Sequence, residues 1–222
     1  MEFDFAYYTE ITQYILLGAG VTLKIFSVTL LFSIPLGIIC ALGKLTKFKP
    51  LHVVLGFYTW VFRGTPLLLQ LFFVYYGLPI ITNQAIVLQA IHAAYITYSL
   101  NYAAYFTEIF RAGIQSIGKG QYEASKALGM SPWTTMRRII LPQAVKVILP
   151  PLGNETINLI KDTALASVIT VTEILRNANR ILSKDFNIMA LVIAAVIYLL
   201  LTFLVIQIFR YIEKRFSYYT IK

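Results

Sequence analysis

The side chains able to do chemistry in this chain are few, and they lie in apolar surroundings. Asn154, Asn158 and Lys161 follow i, i+4, i+7 spacing, which puts them on one helix face. Glu155 and Asp162, seven residues apart, share an adjacent stripe. Asn101 and Tyr102 sit in a second apolar stretch at a comparable depth. Such groups bind and orient rather than break bonds: they line a polar route, or they satisfy one another between helices. Sets that break bonds are missing from the sequence. There is no Gly-x-x-x-x-Gly-Lys-Ser/Thr loop to cradle phosphates and no Gly-x-Ser-x-Gly elbow. His52 and His92 are far apart and lack metal-ligand spacing. An enzyme therefore has no positive support, and no metal or cofactor is expected on this chain. Arg63 reads as a structural charge at the Gly64-Thr65-Pro66 break, and Glu108 with Arg111 as an i, i+3 intrahelical pair.

These groups are carried by long apolar elements. Of 222 residues, 58% are hydrophobic and 13% charged, and the mean hydropathy is +0.71. A soluble domain carries about a quarter charged residues. The composition reads as one all-α integral membrane domain over 1–222. A hydrocarbon core of about 30 Å needs about 20 apolar helical residues. That rule places five spans, at about 14–42, 51–78, 85–109, 144–171 and 188–209. The second is interrupted by Arg63-Gly64-Thr65-Pro66 and is open to being two short helices. Glu155 falls roughly 15 Å above Ala144, near mid-bilayer. Cys40 stands alone, so no intrachain disulfide is possible. The start, with Glu2, Asp4 and Glu10 and no Lys or Arg before Lys24, reads as a retained tail rather than a signal peptide.

The formal charge of +9 follows topology and does not point to nucleic acid. Clusters at Lys44–Lys49, Arg111–Lys146 and Arg210–Lys222 fall on one side of the five spans. The other side holds only Arg176, Arg180 and Lys184. By the positive-inside rule the N-terminus is outside and the C-terminus cytoplasmic.

The longest polar interval, 119–142, is then cytoplasmic. Gln121 to Leu128 favours helix, and Gly129 is a suitable stop. Ser131 can cap a second helix with Pro132 at its first position. Trp133 to Ile140 continues it, and Pro142 is expected to close it. The elbow so formed presents Ala124, Ala127, Leu128 and Met130 as a small apolar surface. It is either a linker lying on the headgroups or a docking element.

Glu123-Ala124-Ser125, three residues, Gly129, nine residues, then Ile139-Ile140-Leu141-Pro142 resembles the EAA loop of binding-protein-dependent ABC importers, Glu-Ala-Ala-x3-Gly-x9-Ile-x-Leu-Pro. Ser125 alone departs from its core. Gly20 to Lys24, Arg63 to Gln70, Asn101 to Ile114, Leu152 to Glu155 and Leu159 to Ile169 resemble the polar amino acid permeases of that family. Trp60 departs from it, standing where many members have Glu. The resemblance implies a type I importer permease with a coupling helix at Glu123, Ala124, Ser125, Leu128, Gly129 and Met130. It implies a bacterial plasma-membrane location, a second permease subunit, and ABC ATPase subunits that hold ATP and Mg. An extracytoplasmic binding protein would deliver a polar amino acid. Glu155 could take the ammonium of such a substrate, with Asn154 or Asn158 beside it, and either Lys161 or the free backbone near Pro151–Gly153 could face its carboxylate. The rival reading is a free-standing channel or ion-coupled carrier, for which the elbow pattern has no explanation.

Overall fold

The computed structural model describes residues 5–216. Glu2, Asp4 and Lys222, used above, lie outside them. Every regular element among the described residues is helical: α1 (Phe5–Leu17), α2 (Ala19–Leu45), α3 (Lys49–Gly64), α4 (Leu67–Phe72), α5 (Leu78–Ile81), α6 (Ala90–Gln115), α7 (Lys119–Ala127), α8 (Pro132–Thr135), α9 (Leu141–Asp162), α10 (Ile174–Asp185) and α11 (Met189–Phe216). Two π turns, Phe73–Gly77 and Met136–Ile140, link α4 to α5 and α8 to α9. A 3₁₀ segment, Thr163–Ile169, extends α9.

Phe5–Leu45 and Met189–Phe216 are each long and apolar enough to cross a membrane, and the bent pair α3 and α4–α5 passes the same test together. α6 and α9 do not, because they carry the polar groups. They stand in the middle of the bundle, where neighbours replace lipid. α6 is its axis. Its aromatics Tyr102, Phe106 and Phe110 stack one turn apart, with ring centroids 6.1 and 6.3 Å apart. Against it lies a stripe of small residues on α2, Thr29, Ser33, Gly37 and Ala41, all buried. Small side chains at every fourth position let two helix backbones approach closely. A Cβ on Gly37 would stand 2.8 Å from that of Phe106.

The expected second span is two helices, with a 104° bend between Gly64 and Leu67. Pro66 causes the break. In an unbroken helix its N–H would serve the Phe62 carbonyl, and proline has none. That carbonyl instead accepts the amides of Gln70 and Asn101, each at 3.0 Å. Gln70 Nε2 also reaches the Thr65 carbonyl and hydroxyl, and its Oε1 accepts from Asn101 at 3.0 Å. The bend is thus held by side chains from both flanking elements.

Pro142 does not close the elbow helix, contrary to the sequence expectation. α8, the π turn and α9 form one continuous helical rod from Pro132 to Asp162. The Leu141 N–H bonds the Met136 carbonyl, five residues back. This widened turn loosens the backbone just where the Pro142 ring would crowd a regular α-turn. α10 was not expected either, because it is amphipathic rather than apolar. It packs with α1 and α11 in a second core of Ile15, Ala19, Ile174, Ala178, Ala190, Ala194 and Ile197.

Candidate functional site

Two cavities lie end to end along the bundle. One, of about 640 Å³, is walled by Arg63 to Leu68, Asn101, Tyr102, Tyr105, Glu155, Asn158, Asp162 and Leu165. The other, of about 660 Å³, lies nearer the elbow, between Glu108, Arg111, Gly113, Val147 and Pro151. Arg63, Tyr105 and Glu155 belong to both. They form the neck where the two meet. Arg63 is the penultimate residue of α3, and the cavity opens beside it where the chain turns away after Gly64. Its guanidinium lies over the Tyr105 ring, 5.5 Å from the centroid.

The structure brings Tyr102, Glu155, Asn158 and Asp162 to one cavity wall. The Asp162 carboxylate accepts the Tyr102 hydroxyl at 2.7 Å, and its backbone carbonyl accepts that of Tyr98 at 2.6 Å. Asn101 is present but committed: both amide hydrogens go to Phe62 and Gln70. Its work is to hold the bend. Asn154 and Lys161 are exposed and belong to neither cavity. The i, i+4, i+7 stripe therefore divides, with Asn158 alone of its members on the cavity wall.

Sequence reasoning gave Arg63 a structural task and gave Tyr105 none. Both sit at the neck. It also counted Lys44 only as a topological charge. Lys44 is buried in an ion pair with Glu108 and donates to Thr59 at 2.9 Å, tying α2, α3 and α6 together. Glu108 also receives the expected bonds from Arg111, at 2.9 and 2.6 Å. This carboxylate on the elbow-side cavity wall is therefore saturated, whereas the Arg63 guanidinium has ring contact with Tyr105 and open space beside it. A molecule carrying one anionic and one cationic group would find Arg63 and Glu155 on the same wall.

At the elbow, α7 ends as the glycine predicts. Gly129 has φ +70°, and the Met130 and Gly129 amides return to the Ser125 and Lys126 carbonyls, each at 3.0 Å. This is the paired 6→1 and 5→2 closure of a Schellman motif. Ser131 caps α8 by accepting from the Thr134 amide at 3.2 Å. Leu128 is 80% and Trp133 72% exposed. Glu123, Ala124 and Ala127 are exposed as well, while Met130 is half-buried. Ser125 is not on this surface. It is buried, and its hydroxyl bonds the Gln121 carbonyl at 2.7 Å. The one departure from the loop pattern thus faces inward.

A model of the family described as binding-protein-dependent transport system inner membrane component matches residues 33–218. The arginine transport system permease protein ArtQ of Bacillus subtilis (strain 168) is 40% identical over 216 residues, 97% of this chain and 98% of that protein. The L-cystine transport system permease protein TcyB of the same organism is 40% identical over 207 residues, 92% of this chain and 87% of that one. A solved structure described as an amino acid ABC transporter with histidines superposes with a TM-score of 0.88 at 36% identity, covering 97% of this chain and all of that one. An inward-facing MetNI methionine ABC transporter superposes with a TM-score of 0.73 at 16% identity over 92% of this chain and 96% of that one, a likeness of fold alone.

Proposed function

Because the chain belongs to the family of binding-protein-dependent transport system inner membrane components, we propose that it is the membrane-spanning permease subunit of an ATP-driven importer of polar amino acids. The observation that carries this reading is the continuity of the elbow with the cavity. An exposed apolar surface at Ala124, Ala127, Leu128 and Trp133 is mounted on a rod that runs through Pro142 to Glu155 and Asp162. A displacement at the elbow travels roughly 33 Å along one continuous helical rod to the neck. The sequence has no loop for ATP of its own, so the elbow is where an ATPase subunit with its ATP and Mg engages.

The reading has the following parts. Two permease subunits, alike or similar, face each other in the bacterial plasma membrane. The elbow and C-terminus are cytoplasmic and the N-terminus is outside, as the charge clusters require. A binding protein delivers the amino acid from outside. Arg63 takes its carboxylate and Glu155 its ammonium at the neck, with Asn158 and the Tyr102–Asp162 pair on the wall. Glu123, Ala124, Leu128, Gly129 and Met130 form the ATPase seat, and Ser125 sets the angle of the seat from within. Nucleotide bound at the ATPase biases the bundle between two arrangements, which is coupling at a distance.

Ala124→Asp and Gly129→Pro test the seat. The first puts a charge on the docking surface; the second forbids the positive φ. Both should abolish co-purification of the ATPase while the bundle still inserts and folds in detergent. Undiminished co-purification with either variant would refute the seat.

A further inference from the structure

The end of the bundle opposite the elbow carries a feature that transport through the neck does not use. α10 presents Arg176, Arg180 and Lys184 at i, i+4, i+8, with Asn179 and Ser183 between them. Together with Ser167 they line an open concavity of about 680 Å³ that contains three cations and no carboxylate. Arg180 and Lys184 also line the neighbouring cavity with Glu10 and Asp185, the latter 4.0 Å from Lys184.

This face is rigidly built. Glu173 is fully buried and caps α10, accepting the Leu175 and Arg176 amides at 2.8 and 2.6 Å. The Tyr198 hydroxyl donates to the same carboxylate at 2.6 Å. Gly18, between α1 and α2, lets the chain pass against this cap, for a Cβ there would lie 2.5 Å from the Glu173 carbonyl carbon. Asn177 then donates to the Tyr14 carbonyl at 3.0 Å. The 41 residues of Phe5–Leu45 exceed the about 20 that a crossing needs, and α10 packs on α1 at the end of the bundle opposite the elbow.

We infer that Arg176, Arg180 and Lys184 form a docking stripe for an acidic surface of the extracytoplasmic binding protein. The inference rests on the permease reading above. An acidic protein surface fits because the three cations line a concavity free of carboxylates on a preformed helix, and charge complementarity there steers encounter. The stripe is also wired to the route. Arg176 donates to the Ser167 carbonyl at 2.8 Å, in the 3₁₀ segment that follows Asp162. A partner carboxylate drawing on Arg176 competes for that bond at the outer end of the cavity helix.

The test is ATP hydrolysis by the complete transporter in proteoliposomes, with the substrate-loaded binding protein titrated on the outer face. Arg180→Glu with Lys184→Glu should raise the half-stimulating concentration of binding protein at least tenfold and leave unstimulated hydrolysis unchanged. Arg180→Lys with Lys184→Arg should restore the wild-type value, and added NaCl should weaken the wild type more than the reversed variant. An unchanged half-stimulating concentration would overturn the inference. So would a shift that follows the anionic-lipid fraction of the vesicles and not the binding protein. A wild-type complex indifferent to every concentration of binding protein would overturn the permease reading itself, a distinct result.

Discussion

Two of the breaks between helices among the described residues are held in opposite ways. The Gly129–Pro132 break closes locally. Its bonds run from Met130 to Ser125, from Gly129 to Lys126 and from Thr134 to Ser131. The Arg63–Pro66 break closes at a distance. The carbonyl orphaned by Pro66 is served by Gln70, eight residues on, and by Asn101, 39 residues on. The local break makes a surface that a partner can grip. The distant one leaves Arg63 beside a cavity and makes its position depend on how α3, α4 and α6 pack. Grip needs an autonomous turn; a binding neck needs a geometry that reports on the whole bundle.

The contrast is sharpest when the distant closure is removed. Gln70→Leu with Asn101→Leu removes both side-chain donors from the part-buried Phe62 carbonyl. The expected cost is about 3 kcal/mol, read as a lowered midpoint in thermal unfolding of the detergent-solubilised protein. No comparable loss is expected from any single change at Gly129 or Ser131. Next comes Arg63→Gln, which leaves the bend but removes the charge. Amino acid uptake by the complete transporter should fall at least tenfold, about 1.4 kcal/mol, while ATP hydrolysis stimulated by the binding protein persists. Loss of both together would mean that Arg63 supports the bundle rather than the route. Gly129→Ala forces a side chain into positive φ and should cost about 1 kcal/mol, seen as weaker ATPase association with an unshifted unfolding midpoint for the rest of the bundle. The smallest effect belongs to Ser131→Ala. Its cap bond is long at 3.2 Å, so about 0.5 kcal/mol is expected, at the low end for an N-cap.

The same contrast explains what could be read before the structure. The elbow was legible because Gly129, Ser131 and Pro132 carry their conformations with them. The 104° bend was half legible: Pro66 announced a break, but nothing in the order of residues announced its partners. Asn101 therefore read equally as a lining of the route or as a bond between helices, and Arg63 as a brace; the structure gives Asn101 the bonds to Phe62 and Gln70 and puts Arg63 on the cavity wall. Pro142 misled because its meaning depends on the π turn before it, which a rule about α-helix registers does not contain. The polar stripe Asn154, Asn158 and Lys161 failed in part because periodicity fixes which residues share a face, not what that face meets. Asn154 and Lys161 turn to the exterior, and the adjacent stripe of Glu155 and Asp162 reaches the cavity. α10 did have a signal, an apolar pattern at Ile174, Ala178 and Ile181 beneath its basic stripe, which a search for continuous hydrophobicity passes over.

The central claim is that energy from a separate ATPase subunit enters at the elbow and substrate passes the neck of the same chain. Uptake of radiolabelled polar amino acid into proteoliposomes tests it directly. With the ATPase and binding protein present, accumulation should require ATP on the elbow side and disappear with Gly129→Pro. Accumulation by this chain alone, without ATP or any ATPase subunit, would contradict the account.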